Sequence, residues 1–152
     1  MRFLTREMEA RDCAAWAKMR AALWPDATVQ LHAAEIETFP AGPDAWSFIA
    51  ETTDGEPAGF AELALRPYAN GCETRPVPFL EGIWVEAQFR RQGLGAQLMA
   101  HIEAFLAARG FREIGSDALI DNRVSHAAHR AWGFSETERV VYFRKSLNAP
   151  TR

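Results

Sequence analysis

The segment from Gln88 to Ala96, QFRRQGLGA, combines two arginines with two closely spaced glycines. Because glycine has no side chain, the backbone N–H groups around Gly93 and Gly95 can approach an anion closely. A helix that begins here adds partial positive charge, and Arg90 and Arg91 add full charges. The segment therefore predicts a phosphate-binding loop. Taken alone, it fits an ordinary glycine turn with solvated arginines about as well.

The elements on either side of the loop favour the phosphate-binding interpretation. Residues 77–85, VPFLEGIWV, are almost all apolar and predict a buried strand. After the loop, apolar residues recur every three or four positions, as on one face of a helix: Leu94, Leu98, Met99, Ile102, Phe105 and Leu106. Position 98 is leucine, so the third glycine of a dinucleotide fingerprint is missing, and no Gly-Lys-Ser/Thr of a P-loop is present.

Glu81 is the one acidic residue inside this apolar strand. A carboxylate there costs desolvation energy unless it has a partner or a task. If it faces a cleft, Glu81 can hold a substrate ammonium or accept its proton through a water. If it faces solvent, it is an ordinary strand glutamate. The strand is expected to be central in its sheet, which favours the functional interpretation.

Asp117 is a second candidate carboxylate, near the end of a strand predicted at residues 113–118. If that strand lies beside the one that carries Glu81, the two acids flank one cleft. Two carboxylates at one site suit a substrate with more than one positive charge. An aspartate that caps a turn at the strand end is an equally good interpretation.

The composition restricts the class of protein. A chain of 152 residues with 48% hydrophobic residues predicts one globular domain, residues 1–152. The net charge of −3 and the lack of a basic stripe argue against nucleic acid as a partner. Cys13 and Cys72 fit no metal-site spacing and are expected as free thiols in a reducing compartment. The early charges of the N-terminus and the lack of a long apolar run predict a cytoplasmic protein without a membrane segment.

Hydrophobic periodicity and turn signals give the order β-α-α-β-β-β-α-β-α-β. Strands are predicted at residues 2–4, 46–51, 59–65, 77–85, 113–118 and 140–143. Helices are predicted at residues 9–23, 29–38, 94–109 and from the capping pair Asp121-Asn122 to Trp132. Residues 66–76 form a loop rich in turn formers.

The motif Arg-x-x-Gly-x-Gly after a strand that ends at Val85, in this order of elements, resembles the GCN5-related N-acetyltransferase (GNAT) family. The resemblance implies an α/β fold with a mixed twisted sheet, splayed between strands 4 and 5, and helices on both faces. It implies acetyl-CoA as cosubstrate and no metal. By resemblance, the pantetheine arm lies along Ile83, Trp84 and Val85, although plain core packing also accounts for Ile83 and Val85. The pyrophosphate loop would consist of Arg90, Arg91, Gln92, Gly93, Leu94, Gly95 and Ala96.

The last predicted helix carries Asn122 and His129, seven residues apart and so on one face. Family members often have a tyrosine four residues before a Gly-Phe pair, as general acid to the leaving thiolate. In this chain the pair is Gly133-Phe134, and the matching residue is His129. His129 can contact or protonate the cofactor sulfur, or be a structural residue while the thiolate leaves unassisted. Asn122 is likewise predicted to bind the cofactor.

The likeness extends to the aminoglycoside 6'-N-acetyltransferases over nearly the whole chain. The segments that carry it are Leu23-Trp-Pro25, Tyr68-Ala-Asn-Gly-Cys72, Phe79-Leu-Glu-Gly-Ile83, Ser116-Asp117 and Gly133-Phe-Ser-Glu-Thr-Glu-Arg-Val-Val-Tyr-Phe143. This resemblance implies direct acetyl transfer to a polycationic amine and an acceptor site lined by Trp24, Tyr68, Glu81 and Asp117. It also implies a homodimer with exchanged C-terminal strands, in which Glu138 reaches the partner's site. The alternatives are acetylation of another cationic amine (a polyamine, a small metabolite or a protein N-terminus) and a non-catalytic acyl-CoA-binding module.

Overall fold

The computed structural model describes residues 2–39 and 43–148. Its strands are β1 (Phe3–Glu7), β2 (Ala45–Thr52), β3 (Pro57–Arg66), β4 (Val77–Val85) and β5 (Gly115–Ser116). Its helices are α1 (Cys13–Leu23), α2 (Val29–Glu37), α3 (Leu94–Ala108) and α4 (Arg123–Ala131), with 3₁₀ turns at Ala10–Asp12 and Ala87–Phe89. The predicted order of elements is confirmed as far as α4.

The five strands form one sheet in the order β1-β2-β3-β4-β5. Neighbours from β1 to β4 are antiparallel, whereas β5 runs parallel to β4. The pairing of β4 with β5 is limited to Phe79 opposite Gly115 and Leu80 opposite Ser116. Beyond Leu80 the two strands part, and within the described residues this edge of β4 has no strand partner. The predicted α/β fold with a sheet splayed between strands 4 and 5 is confirmed.

A β-bulge lies at the point where the sheet opens. Glu62 of β3 pairs with Gly82, but the next residue, Leu63, pairs with Leu80. Glu81 is therefore an extra residue on β4, and a bulge of this kind re-aims a side chain. The bulge also explains why Leu80 and Ile83 contact the same core cluster, although regular alternation would put them on opposite faces.

Helices cover both faces of the sheet, as predicted. One face packs on the apolar side of α3, through residues such as Phe48, Leu63, Leu98 and Ile102. The other face packs on α1 and α2, through Trp16, Met19, Ile36, Ile49 and Phe60. No helix among the described residues is long and apolar enough to cross a membrane.

Two predicted strands differ from the structure. The strand predicted at residues 113–118 is reduced to Gly115–Ser116, because the splay leaves the following residues without a neighbour on β4. The strand predicted at residues 140–143 does not form within the single chain: the structure assigns none there, and the side chains of Val141, Tyr142 and Phe143 are 77, 80 and 93% exposed. A strand needs a backbone partner, and within the described residues this segment has none.

Candidate active site

Glu81 forms a bidentate ion pair with Arg66, the last residue of β3. The Nε and Nη2 atoms of Arg66 donate to the two carboxylate oxygens of Glu81, at 2.9 and 2.8 Å. The guanidinium also lies 3.6 Å from the centre of the Phe79 ring. Two parallel hydrogen bonds of this kind fix the orientation of both groups. Arg66, which the sequence analysis placed at the start of a loop, is therefore a site residue that it missed.

Asp117 lies close enough to the same arginine to act on it electrostatically. The hydrogen bond to Glu81 raises the pKa of Arg66 most, and the negative charges of Glu81 and Asp117 raise it further. Glu81 and Asp117, both singled out from the sequence, thus act on one cation at the open end of β4. Tyr142, in the C-terminal segment, is a further neighbour that the sequence analysis did not select.

The Trp24 ring covers Gly82, the residue that follows Glu81 on β4. A side chain at Gly82 would overlap the Trp24 ring, so this close approach requires glycine. The Trp24 ring packs edge-on against Phe60, with 6.2 Å between ring centres. Nε2 of His32 donates to the Trp24 carbonyl at 3.0 Å. These contacts hold the indole on the α1 and α2 side of the opening.

The buried carboxylate of Glu62 binds two residues of α1, Trp16 and Arg20, and thereby supports Trp24. Glu62, on β3 opposite Gly82, is 4% exposed and accepts from Nε1 of Trp16 at 2.7 Å. Nε of Arg20 lies 3.2 Å from a Glu62 carboxylate oxygen, and the Arg20 guanidinium is 5.3 Å from the centre of the Trp24 ring. Burial raises the pKa of Glu62, although the charge of Arg20 and the Trp16 hydrogen bond oppose the rise.

The loop between β3 and β4 is tied down by a carboxylate. Glu113 accepts from the backbone N–H groups of Glu73 and Thr74, at 3.0 and 2.8 Å, and from the Thr74 hydroxyl at 2.6 Å. These hydrogen bonds, that of the Thr74 hydroxyl above all, lower the pKa of Glu113. The loop that carries Tyr68 is thereby anchored to the residues just before β5.

The structure places Tyr68 and Glu138 on the surface around this loop. Tyr68 is 59% exposed, and the Arg75 guanidinium lies 5.5 Å from its ring centre. Glu138 is exposed, and its Cγ lies 3.7 Å from the Cβ position of Gly71 in its own chain. Both side chains are accessible to a ligand or a partner.

The open edge of β4 offers backbone rather than side-chain groups. Ile83 and Val85 pack toward the α3 core, and Trp84 packs toward the α1 and α2 core. Arg90 folds back onto this strand: its Nε donates to the Val85 carbonyl at 2.9 Å, and its guanidinium lies 4.6 Å from the centre of the Trp84 ring. The edge is thus suited to binding an extended ligand through main-chain hydrogen bonds, with Arg90 at its end.

The loop before α3 has the geometry of an anion site. Gly93 caps the helix with φ of +78°, and no atom lies within 4 Å of its Cβ position. Arg91 is also left-handed, with φ of +61°. The first N–H groups of α3, those of Leu94 to Ala96 among them, have no partner within the helix. These groups face an open position at the positive end of the helix, so the loop fits a phosphate group.

The remaining residues of the predicted loop have different tasks. Gln92 donates from Nε2 to the Gln88 carbonyl at 3.2 Å. Leu94 is buried in the core, so only its backbone is available to a ligand. Gly95 is glycine for a packing reason, because a Cβ there would lie 2.8 Å from Cζ2 of Trp132. Ala96 is exposed on the first turn of α3.

Both ring nitrogens of His129 are hydrogen-bonded, one to Ser125 and the other to Ser116. Its Nδ1 lies 2.7 Å from the Ser125 carbonyl, which can only accept, so Nδ1 carries the proton. In a neutral ring Nε2 is then an acceptor, and the Ser116 hydroxyl donates to it at 2.7 Å. Asn122 caps α4 as predicted, since its side chain accepts from the Ser125 N–H at 3.1 Å.

A cavity of about 240 Å³ lies next to the splayed part of the sheet, and neither Glu81 nor the loop from Arg90 to Ala96 lines it. It lies between the loop at residues 70–72, β5 and the end of α4, and Ser116, Trp132 and Phe134 contribute to its lining. Within the described ranges, no group of three or more His, Cys, Asp or Glu residues is arranged to hold a metal ion.

An open strand edge beside a glycine loop at a helix N-terminus is suited to hold an acyl-CoA, the acyl donor of the acyl-CoA-dependent acetyltransferases. The chain belongs to the Acetyltransferase (GNAT) family, whose sequence profile matches residues 16–134. The resemblance found in the sequence is confirmed, and as a member of this family the protein uses acetyl-CoA as its acetyl donor.

Its relatives narrow the class further. An aminoglycoside N(6')-acetyltransferase type 1 of Stenotrophomonas maltophilia is 46% identical over 143 residues, which cover 93% of this chain and 92% of the relative. The crystal structure of the aminoglycoside 6'-N-acetyltransferase AAC(6')-Ih of Acinetobacter baumannii superposes with a TM-score of 0.88 at 35% identity, over 96% of this chain and 99% of that one. AAC(6')-Iy, solved with the bisubstrate analogue CoA-S-monomethyl-acetylneamine, has a TM-score of 0.87 at 38% identity, with the same coverage.

Proposed function

We propose that the protein transfers the acetyl group of acetyl-CoA to the 6'-amine of aminoglycoside antibiotics and thereby confers resistance to them. The observation that carries the proposal is the arrangement of Glu81, Asp117 and Trp24 at the open end of β4. Polyamines built on sugar rings require carboxylates for their ammonium groups and aromatic faces for their rings. The likeness to aminoglycoside N(6')-acetyltransferases over more than nine-tenths of the chain supports the same acceptor.

Each group of residues has a role in this reaction. Acetyl-CoA supplies an activated acetyl group as a thioester. The backbone of residues 83–85 binds its pantetheine arm, and the Val85 N–H polarises the carbonyl. The loop from Arg90 to Ala96 binds its pyrophosphate. The acceptor amine then attacks directly, without an acyl-enzyme.

The acceptor must lose a proton, because amines are protonated near neutral pH and are not nucleophilic in that form. Glu81 accepts this proton, directly or through a water, and Asp117 holds a second ammonium of the acceptor. Trp24 and Tyr68 provide the aromatic faces. Glu62 is already bound to Trp16 and Arg20, so we assign it to the support of Trp24.

His129 is assigned a positioning role in place of the tyrosine that the family often has. Its Nε2 already accepts a hydrogen bond from Ser116, so a neutral His129 has no proton to give at that atom. The thiolate can leave unassisted, since thiols are far more acidic than amines. His129 and Asn122 then hold the wall of the cofactor site.

A matched pair of acceptors tests the proposal. With acetyl-CoA, a kanamycin-type antibiotic that carries a 6'-amine is expected to release CoA, and an analogue with a 6'-hydroxyl is not. Polyamines, small metabolite amines and peptides with free N-termini are assayed beside them. Equal rates with the amine and the hydroxyl would contradict the 6'-position. Turnover only with one of the other amines would establish that alternative, and acetyl-CoA binding without any turnover would establish a binding module.

We further propose a homodimer in which the C-terminal strands are exchanged and Glu138 reaches the partner's site. The segment around Val141, Tyr142 and Phe143 is apolar and exposed, and an exchanged strand would bury it between subunits. Cys13 and Cys72 are free thiols, which suits a cytoplasmic protein, and residues 1–152 are proposed to form a single domain.

Sedimentation is expected to give a dimer at micromolar concentration. Val141→Asp combined with Phe143→Asp is expected to give a monomer that still binds acetyl-CoA but has a raised KM for the acceptor. Leu31→Asp is the matched control, because Leu31 is 58% exposed on α2, and it is expected to stay dimeric. A monomeric wild-type protein would remove both the exchanged strand and the role of Glu138.

A further inference from the structure

The inference concerns Arg66 and rests on the proposed function. The acceptor side of the cleft is expected to attract cations, yet the structure places a guanidinium there. Arg66 binds both oxygens of Glu81 and stacks on Phe79. An arginine at this point repels a polycationic acceptor, so it must provide an advantage that offsets this repulsion.

Stability does not supply that advantage. The side chains of Arg66 and Glu81 are 39 and 31% exposed. Ion pairs with this much solvent contact are screened, so even a bidentate pair contributes only modestly to folding. A glutamine or a leucine at the end of β3 could pack on Phe79 without introducing a repulsive charge.

The chemistry of the reaction offers a better explanation. A carboxylate beside a bound ammonium stabilises the charged form of the amine, which is the unreactive form. Glu81 alone would therefore bind the acceptor well but oppose its deprotonation. A nearby positive charge acts in the opposite direction, because it disfavours a second cation.

We propose that Arg66 is a positioning residue for acetyl transfer, which orients the Glu81 carboxylate to accept a proton and favours the neutral form of the bound acceptor amine. The N–H bond of the ammonium breaks, and its proton passes to a water oriented by Glu81 and from there to that carboxylate or to the solvent. The nitrogen keeps the electron pair with which it attacks. Arg66 touches Glu81 and not the reacting atoms.

The other charges around Glu81 do not replace Arg66. Asp117, after β5, and Glu62, on β3, are acidic and favour the ammonium form. Tyr142, in the C-terminal segment, offers no positive charge. Arg66 is the positive charge in direct contact with Glu81.

The test compares Arg66→Gln and Arg66→Lys with wild type, using a 6'-amino aminoglycoside and saturating acetyl-CoA. The pH dependence of kcat reports the groups that titrate in the bound complex. On the acid side of this kcat profile, called the acid limb below, activity rises with pH as a group loses its proton. In Arg66→Gln the acid limb is expected to move to higher pH by about one pH unit. The value of kcat is expected to fall about 10-fold at pH 7 and to approach wild type at high pH. The KM for the acceptor is not expected to rise, because the cleft has become more negative.

Arg66→Lys separates charge from geometry. Lysine keeps the positive charge but cannot bind both carboxylate oxygens in the same way. The acid limb is expected to stay at its wild-type position while kcat is reduced at every pH. Arg109→Gln is the matched control, because Arg109 also stacks on a phenylalanine, 3.4 Å from the ring centre of Phe105, at the far end of α3. It is expected to leave the profile unchanged.

The results that overturn the inference are distinct from those that overturn the proposed function. An acid limb that stays in place in Arg66→Gln, with kcat reduced equally at all pH values, would make Arg66 purely structural. A raised acceptor KM with an unmoved limb would make it an acceptor-binding residue. If wild type acetylates only another amine, the proposed acceptor is wrong, and the same profiles with that amine decide the role of Arg66. A wild-type protein that acetylates no amine would overturn both proposals.

Discussion

Glu81→Gln is expected to lower kcat/KM for a 6'-amino aminoglycoside about 100-fold, as for the loss of a general base. Glutamine keeps the size of the side chain and its ability to form hydrogen bonds, but it cannot accept the proton. It also leaves the Arg66 guanidinium without its charged partner, which adds repulsion toward the acceptor. Steady-state kinetics measure the loss, and titration calorimetry is expected to find acetyl-CoA affinity near wild type.

Three further variants test whether the loss of kcat/KM is specific to Glu81. Asp117→Asn is expected to raise the acceptor KM if Asp117 only holds an ammonium, and to lower kcat if it also takes the proton. Glu56→Gln, in the exposed turn before β3, is expected to change neither. A Glu81→Gln enzyme with wild-type kcat/KM would remove Glu81 from the mechanism. The double variant with Arg66→Gln would show whether the two residues act as one unit, since coupled residues do not give additive effects.

The parts of this site that are local in sequence could be predicted from it. The bounds of β4 and the start of α3 follow from a run of almost entirely apolar residues and from a change to helical periodicity at Leu94. The cap of α4 by Asn122 follows from its side-chain chemistry. Such signals depend on a few neighbouring residues, so they do not change with the way in which the rest of the chain folds.

The Arg66–Glu81 pair could not be predicted, because it depends on pairing between strands. The bulge at Glu81 shifts the register of β3 and β4 by one residue, and nothing in the apolar pattern of β4 marks that shift. The strand at residues 140–143 was predicted from its composition alone. Residues with high strand propensity fit well into a sheet. A strand also requires a neighbouring strand to pair with, and propensity does not show whether one is present.

Gly93 and Gly95 look equivalent in the sequence, but the structure separates them. Gly95 faces Trp132, so its lack of a side chain serves contact between α3 and α4. Gly93 has a left-handed backbone and open space where a side chain would lie. Only Gly93 therefore leaves room for a ligand at the N-terminus of α3.

Gly93→Asp is expected to abolish acetyl-CoA binding. The new carboxylate would enter the open position at the helix N-terminus, where it would occupy the pyrophosphate site and repel its negative charge. Arg91→Ala, which removes one positive charge from the same loop, is expected to weaken binding by about 1.5–3 kcal/mol. Titration calorimetry on folded protein measures both.

Two controls separate charge from backbone strain in the Gly93→Asp result. Gly93→Ala introduces the left-handed strain without a charge, and it is expected to retain measurable binding. Gly55→Asp introduces the same residue at φ of +89°, also with no atom within 4 Å of its Cβ position, in the turn between β2 and β3. It is expected to bind acetyl-CoA like wild type, because it lies in a different part of the fold. Unchanged affinity in a folded Gly93→Asp protein would mean that the pyrophosphate is bound elsewhere. Equal losses in Gly93→Ala and Gly93→Asp would mean that the loop conformation, rather than the open anion position, determines binding.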